Sequence, residues 1–191
     1  DANDKEEKDL LRKQIELLMT KIGNNTNIET QNNTNNSNNN ITNIQINGWG
    51  HETKSHLKNR FMRFCCDRPY TSIQRVIEAV YFNPDVPENW NVMIKDDKSS
   101  KAHIYDGEKK AWLKKEANGI IEDLEANAYS ILDANFDEQK EANKLSDRII
   151  EKFEKFQDFY AKGDKQYEKR LNREIKELLI NYKAYHVLPG S

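Results

Sequence analysis

The sequence predicts a mainly α-helical protein with a small antiparallel sheet, an α+β class, built from several thin or elongated pieces. Three observations predict this class. Charged residues make up 32% of the 191 residues and hydrophobic residues only 36%, which is low for a single large core. Apolar residues recur at helical spacing through most of the chain. Short alternating runs around residue 100 have the period of strands instead.

The first piece, residues 1–23, has the spacing of a coiled-coil helix. Leu11, Ile15, Leu18 and Ile22 alternate in steps of four and three, which keeps one apolar stripe facing a partner helix. A helix this short is marginally stable by itself, so it needs something to pack against. The pattern predicts association of two, three or more copies of the chain. An amphipathic helix docked on its own domain is the alternative.

The second piece, residues 24–47, is rich in Asn and has a period of two. Its even positions carry β-branched residues, as one face of a strand does; they include Thr26, Ile28, Thr30, Thr34, Thr42, Ile44 and Ile46. Extended, the tract spans roughly 70–80 Å, too long for one strand of a small domain. It predicts a stalk of paired identical chains with Asn side chains bonded between copies. A disordered spacer is the alternative, because Asn-rich segments often stay unfolded. We assign self-association to the four heptad residues and to Ile28, Thr34, Ile44 and Ile46.

The third piece, residues 48–114, predicts a compact domain of two helices and a meander. The first helix is expected over 53–66, with a buried face of Leu57, Phe61, Phe64 and Cys65 opposite His56, Arg60 and Arg63. The second is expected over 72–82, with a buried face of Ile73, Val76, Ile77 and Val80, and it ends before Pro84 and Pro87. The runs NWNVMI, KAHIYD and KKAWLKK, separated by turns, predict three antiparallel strands.

The fourth piece, residues 115–186, is predicted to be helical. Its apolar residues fall into three stripes: Ile120, Ile121, Leu124, Ala128, Ile131 and Leu132; Leu145, Ile149, Phe153, Phe156 and Tyr160; and Tyr167, Leu171, Ile175, Leu178 and Tyr182. A break at Gly163 and Asp164 separates the last two stripes. Residues 187–191 are interpreted as a tail or a cloning scar, and the chain as part of a longer protein.

Three phrases carry a resemblance to a known family: NITNIQINGWGHE, YFNPDVPENWNVMI and HIYDGEKKAWLKK. Together they resemble the C-terminal region of proteins encoded by giant nucleocytoplasmic DNA viruses. In that family a two-Cys, two-His zinc finger precedes a coiled coil, an Asn/Thr-rich tract and a compact domain. The resemblance covers residues 10–182 and implies a viral context without an assigned activity. This sequence has no such finger, so the finger's DNA-binding role falls on none of its residues.

The sequence contains no convincing catalytic or metal-binding constellation. Zinc needs ligands paired a few residues apart, whereas Cys65 and Cys66 are adjacent and His51 and His56 precede them without that spacing. The seven glycines form no phosphate-binding loop. No cofactor is expected, and we interpret the protein as non-enzymatic.

One segment has a local excess of positive charge, although the chain has a formal net charge of −2. The candidate nucleic-acid contacts are Lys54, Lys58, Arg60, Arg63, Arg68 and Arg75, with Tyr70 as a stacking residue. Asp67 is the one acid between them. A solvated helix face is the alternative.

These observations leave two functional hypotheses. The leading one is a self-assembling interaction module of a viral protein that displays its compact domains to a viral or host protein. The other is a DNA- or RNA-binding module that uses the basic segment. No apolar run is long enough to cross a membrane and no apolar signal segment begins the chain, so we expect the host cytoplasm, a virus factory or the nucleus.

Overall fold

The computed structural model describes residues 44–182, and from Ile46 onward these belong to one compact unit. The described part is mainly helical with one small antiparallel sheet, which confirms the predicted class. Its helices are α1 (Asn59–Asp67), α2 (Ser72–Tyr81), α3 (Ala117–Glu141), α4 (Asp147–Ala161) and α5 (Lys165–Asn181). Its strands are β1 (Val92–Ile94), β2 (Lys101–Asp106) and β3 (Ala111–Glu116).

The predicted meander is confirmed. The strand order is β1-β2-β3, both pairs are antiparallel, and the register places Val92 opposite Ile104 and Tyr105 opposite Trp112. Asp106 begins the β2–β3 turn, where its carboxylate accepts the backbone N–H groups of Glu108 and Lys109. Asp is favoured in turns because its side chain bonds the following backbone in this way.

The apolar stripes of the helices form one continuous core. The α2 stripe is buried as predicted, and Phe153 and Phe156 of α4 are fully buried. The predicted stripe on α3 is buried except for Ile131, which is half-buried, and it continues to Phe136. On α5 the stripe ends at Leu179, which is buried, whereas the predicted Leu178 is half-buried. The predicted break at Gly163 is confirmed, and Asp164 caps α5 by accepting the backbone N–H of Tyr167.

The prediction for α1 was wrong at its start and for Phe64, whereas Cys65 is buried as predicted. The helix begins at Asn59, and the side chain of Asn89 holds Thr53 outside it. The amide of Asn89 accepts the Thr53 N–H at 2.9 Å and donates to the Thr53 carbonyl at 2.7 Å. The buried face of the shorter helix is Met62, Cys65 and Cys66, and Phe64 points outward.

A set of buried and half-buried polar side chains joins the loop before α1 to the segment before β1. We call Asn47, Glu52, Thr53, Asn89 and Asn91 the amide network. Asn89 also donates to the Val80 carbonyl, and it accepts from the Asn47 amide at 2.9 Å. Asn91 donates to the Glu52 carboxylate and to the Asn47 carbonyl. The network uses residues of the phrases INGWGHE and PENWN, so these phrases specify the packing of two loops.

Two glycines meet where the first of these loops crosses the β2–β3 turn. A Cβ atom on Gly48 would lie 2.9 Å from the backbone nitrogen of Gly107, which leaves no room for a side chain. The backbone N–H of Trp49 donates to the Tyr105 carbonyl at 2.8 Å. The loop is thus fixed to the sheet by main-chain contact.

Several predictions fall outside the described residues. They are the coiled coil with Leu11, Ile15, Leu18 and Ile22, the greater part of the Asn-rich tract with Ile28 and Thr34, and the tail. Ile44 and Ile46 are described: both are half-buried, and residues 44–47 form no strand. At this point the backbone of Asn47 is bonded to the Glu88 carbonyl and to the Asn91 side chain, so a regular ladder is not formed there.

Candidate nucleic-acid interface

The side of α1 that faces away from the core is basic. Met62, Cys65 and Cys66 lie within one turn and are buried. Residues 60, 63 and 64 lie on the opposite side of a helix with 3.6 residues per turn. Arg60 is exposed and Arg63 is half-buried. We call Arg60, Arg63, Phe64, Arg68 and Arg75 the basic face.

Phe64 is the centre of the basic face. Its side chain is 38% exposed, and the guanidinium carbons of Arg68 and Arg75 lie 4.4 and 5.2 Å from its ring centroid. Arg68 follows the last turn of α1 and Arg75 lies on α2, so two elements contribute to one cluster. Each contact of this kind stabilises by about 0.5–1 kcal/mol at an exposed site. The attraction of both guanidinium groups to the ring offsets part of their mutual repulsion.

Asp67, the one acid of the segment, forms ion pairs with two cations of α4, a helix distant in sequence. Its carboxylate oxygen lies 2.7 Å from the ammonium of Lys152 and 3.2 Å from the guanidinium of Arg148, both on α4. The hydrogen bond from Lys152, together with the charge of Arg148, lowers the pKa of Asp67. The pairing leaves the charge of the basic face uncompensated by Asp67.

Tyr70 borders a cleft beside this face, which we call the Tyr70 cleft. Its volume is about 410 Å³, and it is lined by Asp67, Arg68, Pro69, Tyr70, Thr71, Lys152 and Lys155. The Tyr70 side chain is 44% exposed, while its ring makes edge contacts with Phe156 and Phe159 at centroid distances of 5.3 and 5.2 Å. These contacts fix the ring, so the cleft has a rigid aromatic wall.

The structure brings only some of the predicted contacts together. Arg68 and Arg75 share the Phe64 ring, and Arg68 and Tyr70 share the cleft. Lys54 and Lys58 are exposed ahead of the N-terminus of α1, where Lys58 donates to the Ser55 carbonyl at 3.2 Å. They lie at the far end of the helix from Arg68.

Sequence reasoning missed Phe64, Lys152 and Lys155 as members of this surface. For Phe64 a signal was present, because Arg60, Phe64 and Arg68 follow each other at intervals of four and share one side of a helix. No local signal connects the two lysines to the segment, since Lys152 is 85 residues from Asp67.

The residues considered for a metal site are used differently. Burial raises the pKa of the Cys65 and Cys66 thiols to about 12, so both are protonated at neutral pH. His56 lies 2.7 Å from the Ala79 carbonyl, and His51 is exposed beside Trp49. Within residues 44–182, no three His, Cys, Asp or Glu residues are grouped to hold a metal ion. None of the helices in this range is long and apolar enough to cross a membrane.

Comparison with family models, with curated proteins and with solved structures gave no match. The basic face and the Tyr70 cleft are the candidate functional surfaces of the described residues.

Proposed function

We propose that the domain binds nucleic acid through its phosphate backbone, with the basic face as the contact surface. The observation that supports this most is the stacking of Arg68 and Arg75 on the exposed ring of Phe64. A guanidinium that contacts a ring keeps N–H donors along its planar edge. That planar fork matches the oxygens of a phosphate group.

The charge balance supports the same proposal. The chain as a whole is slightly acidic, so no general attraction to polyanions is expected. The positive charge is concentrated where the one local acid, Asp67, already has two cationic partners. Binding by this surface depends strongly on salt, because each neutralised phosphate releases counterions.

The experiment is a salt series of fluorescence anisotropy titrations with a labelled oligonucleotide and the full chain. The double variant Arg68→Ala/Arg75→Ala should weaken binding at least about tenfold at low salt and lower the slope of log K against log salt by about 0.7–0.9 per lost contact. Arg173→Ala is the matched control, since Arg173 is an exposed arginine on α5 facing Glu177. Absence of binding at about 50 mM salt would end the proposal.

Self-association is a second proposal, supported by the heptad spacing of Leu11, Ile15, Leu18 and Ile22. In this proposal the N-terminal helix and the Asn-rich tract gather identical chains and present several domains together. Several weak phosphate-binding surfaces on one assembly bind far more tightly than one. The resemblance to giant-virus proteins then gives the context: a non-enzymatic viral module in the host cytoplasm, a virus factory or the nucleus, whose further partner is a viral or host protein.

Sedimentation equilibrium over a wide concentration range tests self-association. Leu18→Asp, at a d position, should dissociate the assembly, whereas Thr20→Asp, at an f position, should leave it intact. A wild-type chain that remains a monomer at the highest concentration contradicts this proposal without affecting the first.

A further inference from the structure

Two aromatic rings are exposed beside the same arginine. Among residues 44–182, Phe64 and Tyr70 are the large hydrophobic side chains that remain exposed, at 38% and 44%. Both lie within the basic segment. Arg68 contacts both environments: its guanidinium lies over the Phe64 ring, and it lines the cleft that Tyr70 also lines. The other large rings of the described part are buried or half-buried.

A protein that binds a duplex through its phosphates needs cations, but it does not need exposed aromatic rings. The π-faces of bases are stacked on each other inside a duplex, and they become available to aromatic side chains in single strands. We infer that this surface binds single-stranded nucleic acid, with one base stacked on the exposed guanidinium of Arg75 that Phe64 supports, a neighbouring base in the Tyr70 cleft, and phosphate at Arg68. The inference rests on the proposed function and narrows its ligand.

The Tyr70 cleft has the properties of a base-binding site. Its volume of about 410 Å³ lies within the range of small-ligand sites, about 300–1,000 Å³. Tyr70 supplies exposed apolar surface, and Lys152 and Lys155, which also line the cleft, are cations for the flanking phosphate. The negative charge of Asp67, another lining residue, is paired with Lys152, and that of Glu151 with Lys155 at 2.6 Å.

Both rings are held in place before any ligand arrives. Tyr70 makes T-shaped contacts with Phe156, Phe159 and Tyr167, and Phe64 projects from a helix whose other side is buried. A fixed ring loses little conformational entropy when a base stacks on it or on the guanidinium that it supports, which favours affinity. Arginine and aromatic residues are also enriched where proteins bind proteins. An acidic protein is thus the competing ligand that the experiment must exclude.

The test compares three probes of similar charge: a labelled oligothymidylate, a DNA hairpin duplex and polyglutamate. All are titrated with the full chain at the same low salt. We expect the oligothymidylate to bind about tenfold more tightly than the duplex. Phe64→Leu and Tyr70→Leu should each weaken oligothymidylate binding at least about fivefold, the lower end of what base stacking contributes. Each should weaken duplex binding by a clearly smaller factor.

Phe61→Leu is the matched control, because Phe61 lies on the same helix, is half-buried and packs against the core. It should not change binding to any probe. Thermal unfolding of each variant checks that it is folded. The Phe64 substitution is at an exposed site, so the inference remains testable even if Tyr70→Leu disturbs the rings behind it.

The outcomes separate this inference from the proposed function. Equal affinity for duplex and oligothymidylate, or unchanged oligothymidylate binding in Phe64→Leu, overturns the inference while phosphate binding stands. Polyglutamate binding as tight as that of the oligothymidylate also overturns it and indicates an acidic protein. Failure of all three probes to bind removes the proposed function itself.

Discussion

The amide network and the basic face are both built from polar side chains, yet they use them in opposite ways. In the network, Asn89 is fully buried and both ends of its amide are bonded to neighbouring parts of the chain. On the basic face, Arg68 and Arg75 contact a ring through their guanidinium groups at the surface. Buried polar groups must be paired to be tolerated, whereas surface cations can keep donors for a ligand.

The most distinctive sequence motifs and the proposed binding residues lie in different parts of the chain. The phrases INGWGHE and PENWN are the most distinctive in the chain, and their asparagines belong to the network. They account for the fold of two loops. The residues proposed to bind nucleic acid lie in a plainer stretch between them. A distinctive motif therefore need not mark the binding surface.

The largest expected effect separates the two regions by stability. Asn89→Ala should lower the free energy of unfolding by about 3 kcal/mol or more, because it leaves buried groups of Thr53 and Val80 without partners. Urea unfolding measures this. Asn118→Ala, at an exposed position on α3, is the control and should change stability by less than about 0.5 kcal/mol. Equal effects of the two substitutions would show that the amide network does not stabilise the fold more than an exposed asparagine does.

A pair of glycines tests the same region through its backbone. Gly48→Ala should destabilise by about 2 kcal/mol, since its Cβ would meet the backbone of Gly107 at 2.9 Å. Gly119→Ala, where nothing lies within 4 Å, should instead stabilise by roughly 0.5–1 kcal/mol, because alanine suits a helix better. Thermal unfolding compares the two. A stabilising Gly48→Ala would show that the loop is not fixed to the turn.

A substitution beside the basic face should change nucleic-acid binding and have little effect on stability. Asp67→Asn removes the one negative charge of residues 54–75 and releases Lys152 and Arg148. Binding of an oligonucleotide at low salt should become roughly threefold tighter, from the Coulomb energy of one charge several ångströms away in water. Asp97→Asn, which removes a carboxylate paired with Lys176 elsewhere, is the matched control. Unchanged affinity for Asp67→Asn would remove this face from the interface.

The smallest expected effect concerns pH. The hydrogen bond from Lys152 and the charge of Arg148 lower the pKa of Asp67 in the folded state. Such a carboxyl contributes stability above its unfolded pKa, about 3.9, and the contribution is lost as the pH falls through the lower folded pKa. Urea midpoints below about pH 4 should therefore fall more steeply in the wild type than in Asp67→Asn. Identical pH profiles would mean that the ion pairs contribute nothing to folding.

Much of the fold was predictable from the periodicity of the apolar residues. The stripe on α2 and the meander were predictable because their apolar spacing is regular over several residues. The place of Thr53 outside α1 was not, because it depends on hydrogen bonds with Asn89, 36 residues away. Phe64 was assigned to the core because it falls at helical spacing with Leu57, Phe61 and Cys65. It is exposed because α1 instead buries the side that carries Met62, Cys65 and Cys66.

Asn47 also determines how the domain responds to force. It lies at the second residue of the compact unit, and its backbone N–H and carbonyl are bonded to Glu88 and Asn91. Within residues 44–182, tension applied from the N-terminal side reaches these bonds before the first helix or strand. Detaching Asn47 disturbs the partners of the buried Asn89, so the chain should not peel away residue by residue. We therefore expect the domain to unfold cooperatively, in a single step, under force.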